Sequence, residues 1–244
     1  RPGPADGEIL GSQGDYNQLT KGGGHGDYST IVLAPYSVQE YADFAPLAFD
    51  LAEKYRNPVV VASDGTIAKM MENVELPEKI NPTTRFDWAC DGINGRGHHN
   101  DITTCGDGPE QWERFNLDLQ AKYSLIKENE QRWEEMMTED ADIIMVAFGS
   151  LARVCIDTVK TARENGMKVG LIRPITLWPF PEKAFEKFEG KDTKFFVTEL
   201  NAGQMVDDVK IAVNDKKKVE FYGRLGGITP TPAELYNKLC ELYK

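Results

Sequence analysis

Cysteine is scarce and scattered. Cys90, Cys105, Cys155 and Cys240 are the only four in 244 residues, and no two form a Cys-x-x-Cys pair. That excludes a short-chain disulfide framework and a standard zinc finger, and it points to a reducing, cytoplasmic setting. Long apolar runs are missing too. The longest are strand-length, which excludes a transmembrane helix, and no signal peptide is visible. Basic charge is in deficit: 28 Lys and Arg against 39 Asp and Glu leave a formal charge of −11. Such a chain is a poor ligand for nucleic acid or an anionic membrane. No Met opens the chain, so Arg1 reads as the first residue of a fragment or as one that follows a processing site.

Catalytic signatures are also absent. There is no Rossmann fingerprint, no Ser/His/Asp order and no paired-carboxylate spacing. The glycine-rich stretch Thr20-Lys21-Gly22-Gly23-Gly24-His25-Gly26-Asp27-Tyr28 is not a P-loop. A P-loop needs a strand before the glycines and a helix after them, and here a strand follows. Such a stretch permits positive φ and close approach of another surface. It reads as a structural turn or an interface loop in preference to a phosphate cradle.

What is present is an alternation of strand and helix. Strands are expected at 31–34, 58–62, 143–148, 168–172, 195–198 and 219–222. Helices are expected at 37–55, 110–135, 150–165, 181–189, 203–213 and 231–243. The helix at 37–55 starts on a Ser37 cap and should kink or break at Pro46. Periodicity disappears from Pro77 to Pro109, as in a linker or functional loop. The pattern predicts an α/β protein in three stretches: 1–85, a linker with a long helix at 86–139, and a mostly parallel sheet at 140–244. Ligands of such a sheet are expected at the carboxyl ends of its strands.

Several side chains are candidates for chemistry. His25 could titrate near neutral pH; pairing with Asp27 or a carbonyl is the plainer reading. Cys90, His98, His99 and Cys105 fit no metal spacing, and incidental placement in a loop is preferred. Glu199 and Asn201 lie at a strand end, where a carboxylate either catalyses or caps the next helix; the cap is preferred. Arg173 and Arg224 could face an anion at the same edge.

Together these segments resemble a family. Arg1-Pro2-Gly3-Pro4, Gln13-Gly14-Asp15-Tyr16, Gly24-His25-Gly26-Asp27 and Ile31-Val32-Leu33-Ala34-Pro35 are similar to the α subunit of 2-oxoacid:ferredoxin oxidoreductases. So are Lys54-Tyr55-Arg56-Asn57-Pro58, Arg173-Pro174-Ile175-Thr176-Leu177-Trp178-Pro179, Glu199-Leu200-Asn201-Ala202-Gly203-Gln204 and Tyr222-Gly223-Arg224-Leu225-Gly226-Gly227. The branched-chain (2-ketoisovalerate) and 2-oxoglutarate types look nearest.

The resemblance implies oxidative cleavage of a 2-oxoacid with coenzyme A, giving acyl-CoA, carbon dioxide and reduced ferredoxin. It implies the later half of a thiamine-binding pyrimidine-type domain, then a transketolase C-terminal-like domain. Thiamine diphosphate and magnesium would lie at the interface with a partner subunit. Iron–sulfur clusters would sit on partner subunits of β, γ and δ type, through which an acidic ferredoxin would dock. No catalytic residue and no metal ligand is assigned in this chain. The family's Tyr-Pro-Ile-Thr-Pro-type motif and its cofactor-pairing Glu have no counterpart here, so the first sheet is expected to be incomplete. Arg1 occupies the place of an Arg that pairs with the oxoacid carboxylate, although Ala5-Asp6-Gly7 replaces the usual Ser-Thr-Gly. His25 and Asp27 are expected near the cofactor at a subunit interface. The alternative is a non-catalytic assembly or regulatory module.

Overall fold

The structure, a computed structural model, describes residues 9–76, 86–103 and 105–243. A short helix, α1 (Tyr16–Thr20), leads into the glycines and then β1 (Ile31–Leu33). β1 is wholly buried, as its unbroken β-branched and aliphatic run requires. Helix α2 (Val38–Tyr55) follows and returns the chain to β2 (Val59–Val61), parallel to β1. Ser37 caps α2 by accepting from the Glu40 N–H at 3.1 Å, and Glu40 reaches back to the Tyr36 N–H at 2.9 Å. This reciprocal pattern satisfies two N–H groups at the helix entry. Pro46 does not break α2, contrary to expectation: the helix is continuous around it. Phe44 and Leu51 are buried on either side, and Leu47 and Ala48 pack on the core, which holds both turns in place.

The long helix α3 (Pro109–Asn129) is next, but it stops earlier than its apolar spacing suggests. Trp133, read from sequence as part of the helical stripe, instead opens a strand, β3 (Trp133–Met136). The backbone there pairs with a neighbouring strand instead of continuing the helix. β3 runs antiparallel to β5 (Val169–Pro174), with Glu134 opposite Arg173 and within 2.8 Å of its guanidinium. Between them in sequence come β4 (Ile143–Val146) and α4 (Gly149–Glu164). After β5 the chain leaves that sheet at once. β6 (Thr176–Trp178) pairs antiparallel with β1 of the first sheet. The remaining elements are α5 (Lys183–Glu186), β7 (Lys194–Glu199), α6 (Met205–Val213), β8 (Val219–Gly223) and α7 (Pro232–Leu242).

Two sheets result. The first has the order β2-β1-β6 and the second β3-β5-β4-β7-β8. In the second, β5, β4, β7 and β8 are parallel. Its strand order reverses between β4 and β7, which marks the topological switch point. One core fills the space between the first sheet and the α6 face of the second, with Ile31, Val32, Leu33, Ile144, Val146, Val197 and Met205 in contact. A second core lies under α4 and α7, around Met145, Leu151, Val159, Phe196 and Leu235. The two sheets thus share a core through β6, although β6 follows β5 in sequence. Among the described residues, no helix is long and apolar enough to cross a membrane.

Candidate functional site

The carboxyl edge of the second sheet was the expected ligand site. The structure corrects that expectation, because the chain fills this edge itself. At the switch point the Gln13 side-chain amide donates to the Phe148 carbonyl (2.8 Å), and its Oε1 accepts from the Leu200 N–H (2.9 Å). The Gln13 backbone pairs with the Leu200 carbonyl, and the Gln13 carbonyl accepts from Asn201 Nδ2. The N-terminus of α4, an anion site by its exposed N–H groups, is also taken. Asp64 Oδ2 accepts from the Ser150 N–H at 3.0 Å, while its Oδ1 accepts from Thr66 and Ile67. A space of about 80 Å³ remains between Gln13, Tyr16, Asp64, Phe148 and Leu177. That is room for water, not for a cofactor.

The candidate residues at that edge are equally committed. Glu199 is fully buried and accepts from the N–H groups of Gln204, Met205 and Val206 and from Asn201 Nδ2. It therefore caps α6, as preferred from sequence. Burial pushes its carboxyl pKa up, and these donors pull against the rise. Arg173 does not face an anionic ligand. It is 1% exposed, and its guanidinium grips Glu40 with two bonds of 3.0 and 2.6 Å beneath the Tyr36 ring. Arg224 is paired with Glu234 and Tyr222.

The glycine loop is different: it stays open. Gly22, Gly23, Gly24 and Gly26 all have positive φ, the conformation that favours glycine. A Cβ on Gly22 would meet the Tyr28 carbonyl at 2.9 Å, whereas one on Gly24 would meet nothing. The base of the loop is fixed and its tip is bare. Asp208 ties down the base, accepting from Tyr16 Oη (2.6 Å) and Lys21 Nζ (2.5 Å). Burial, then the charge of Asp208, raises the Tyr16 pKa well above its ordinary value, so the phenol stays a donor. His25 is exposed and lies edge-on to the Tyr28 ring, centroids 6.2 Å apart. Its imidazole makes no hydrogen bond to Asp27 among the described residues, so the pairing expected from sequence is not found. The Asp27 carbonyl accepts from Gln120 of α3 at 2.8 Å, and Asp27 lines an open cleft. That cleft, of about 420 Å³, separates the loop from α3.

Arg1 lies outside the described residues. Cys90 and Cys105 are exposed, as are His98 and His99. Among the described residues no three His, Cys, Asp or Glu side chains are grouped so as to hold a metal ion. Sequence reasoning missed Gln13 and Asp64 as site-closing groups. Both fall within segments that carry the family resemblance, and that was the only available signal.

Comparison with known proteins places these features. The chain is 43% identical over 243 residues to the ketoisovalerate oxidoreductase subunit VorB of Methanothermobacter marburgensis, covering 99% of this chain and 68% of that subunit. It is 45% identical, with the same coverage, to VorB of Methanothermobacter thermautotrophicus. The chain belongs to the 2-oxoacid:ferredoxin oxidoreductase subunits. Within that family it is also 34% identical to the 2-oxoglutarate synthase subunit KorA of Methanocaldococcus jannaschii, over 96% of this chain and 70% of that one. Residues 1–87 match the family model described as pyruvate flavodoxin/ferredoxin oxidoreductase, thiamine diphosphate-binding. Residues 141–235 match pyruvate:ferredoxin oxidoreductase core domain II. The fold agrees with that of 2-oxoglutarate:ferredoxin oxidoreductase from Magnetococcus marinus, solved with 2-oxoglutarate, coenzyme A and succinyl-CoA bound: TM-score 0.80, 23% identity, all of this chain and 47% of that one. The α/β reading, with a thiamine-binding region ahead of a mostly parallel sheet, holds.

Proposed function

We propose that this oxidoreductase subunit works in a complex that cleaves a 2-oxoacid oxidatively with coenzyme A, yielding acyl-CoA, carbon dioxide and reduced ferredoxin. The observation that carries this is the match, above 40% identity over 99% of this chain and 68% of each relative, to two ketoisovalerate oxidoreductase subunits. A branched-chain oxoacid is accordingly the first substrate to test. The setting is the cytoplasm, in anaerobic metabolism.

The geometry supports a division of labour. The closed edge of the second sheet leaves the stretch 140–244 as scaffold, joined by the loop and helix of 86–139 to the thiamine-binding stretch of 1–85. The glycine loop is the place that fits a cofactor held chiefly by another chain. Its backbone is open at Gly24, and its tip carries His25 and Asp27 above an anchored base. When bound there, thiamine diphosphate with magnesium would supply the carbanion chemistry. This chain's glycines would give close backbone approach, His25 and Asp27 would position the contact, and Arg1 would pair with the oxoacid carboxylate. The scattered cysteines support iron–sulfur clusters on β-, γ- and δ-type partners, where ferredoxin would also dock.

β2 is half-buried along its length and pairs on one side only among the described residues. A purely structural module is the second reading, favoured by the self-filled switch point. His25→Ala tests the placement of the glycine loop at the cofactor and subunit contact. In the intact complex it is expected to lower thiamine diphosphate retention, read by cofactor release on gel filtration, or to weaken assembly. Full cofactor content, full activity and an intact complex would return His25 to a turn residue.

A further inference from the structure

Resting on the reading of the glycine loop as a subunit contact, we propose that the cleft between this loop and the first half of α3 receives a basic side chain from a different polypeptide, a partner subunit. Three observations converge there. First, α3 outruns its own support. Its apolar stripe is Trp112, Phe115, Leu119, Tyr123 and Ile126, yet only Tyr123 and Ile126 are buried. Phe115 is 56% exposed, and Leu117, on the cleft side, is 64% exposed. Helical turns gain stability mainly from packing an apolar face, and among the described residues Phe115 and Leu117 have little such packing, which leaves this face to a partner.

Second, the cleft is preformed. Gln120 on one wall donates to the Asp27 carbonyl on the other, and Lys21 and Tyr16 fix the loop to Asp208. A rigid cleft avoids the ordering cost of binding. Third, its charge is unbalanced. Asp27 and Glu113 line it, and neither carboxylate has an ion-pair partner among the described residues. The one lysine of the lining, Lys21, is already held by Asp208 at 2.5 Å. The cleft is therefore negative, and a lysine or arginine is its complement. A second copy of this chain is a poor occupant. It would bring another −11 charges, and a two-fold contact would set these carboxylates against their own copies. The partner thus offers a cation for Asp27 and Glu113 and an apolar side chain for Leu117 and Tyr28.

The test uses the chain co-produced with the other subunits of its complex. Glu113→Lys and Leu117→Asp are compared with Asp118→Lys, which makes the same charge change elsewhere on α3. Association is measured by sedimentation at low and high salt, and folding by circular dichroism. Glu113→Lys and Leu117→Asp are expected to weaken association by about tenfold or more, with Asp118→Lys close to wild type, and salt should narrow the Glu113→Lys difference. If Glu113→Lys behaves like Asp118→Lys while the wild type assembles, the cleft proposal falls and the subunit reading stands. If the wild-type chain binds no partner subunit, both fall. A wild-type homodimer broken by Leu117→Asp would replace the foreign partner with a second copy.

Discussion

Replacing Arg173 with Ala is expected to destabilise the chain by about 4 kcal/mol, the cost of breaking a buried ion pair and leaving its partner charges without a counterion. The side chain is buried and links three elements. It holds Glu40 in the first turn of α2 with two bonds and Glu134 of β3 across the strand pair, and it stacks on Tyr36. Loss of the guanidinium leaves the Glu40 carboxylate confined at the α2 entry and the β3 edge without its cross-strand partner. For a chain of this size, that energy lowers the melting temperature by roughly 10 °C. Arg173→Lys should rescue only part of it, since an ammonium cannot reproduce the two-bond fork. An unfolding free energy for Arg173→Ala, from urea titration, within about 0.5 kcal/mol of wild type would show that the pair carries no net stability.

Glu199→Ala is the second large effect, at about 3 kcal/mol. Four donors converge on this one carboxylate inside the protein: the N–H groups of Gln204, Met205 and Val206, and Asn201 Nδ2. Without that acceptor the three N–H groups lose their side-chain partner, at a cost on the order of 1 kcal/mol each, and Asn201 Nδ2 keeps only the Gln13 carbonyl. The first turn of α6 should fray, and with it the contacts of Gln204 to Gly14 and Asn17, which hold the N-terminal strap over the sheet edge. Hydrogen exchange is the direct readout. Faster exchange at Met205 and Val206, extending to residues 13–21, is expected. Exchange unchanged at 13–21 would separate the cap from the strap.

Much of this architecture could be read from residues in sequence. Ile31 to Ala34 is an unbroken apolar run and is a central strand; Ser37 followed by Glu40 announces the helix start that forms. Glu199, two residues past the buried stretch Phe195–Val197 and just ahead of a helix, was legible as a cap. Other features were not. Trp133 lies seven residues after Ile126, so its apolar spacing continues the helical stripe, and only the pairing of Trp133–Met136 with the distant β5 makes it a strand. β6 is three residues between Pro174 and Pro179, too short to show a period. Gln13 and Asp64 close the switch point across 187 and 86 residues of sequence, and nothing local marks a glutamine or an aspartate for such a contact. The open glycine loop was visible as glycine, but its anchoring by Asp208 and its cleft against α3 exist only in three dimensions.

The role proposed for this chain is that of a working subunit of a thiamine-dependent 2-oxoacid oxidoreductase. It is tested most directly by coenzyme A-dependent reduction of ferredoxin with 2-ketoisovalerate, in the subunit complex assembled with and without this chain. A brown, cluster-bearing assembly is expected, its activity lost when the chain is omitted and restored when it is added back. Activity indifferent to its presence, with the chain purifying as a colourless, stable homo-oligomer, would contradict it.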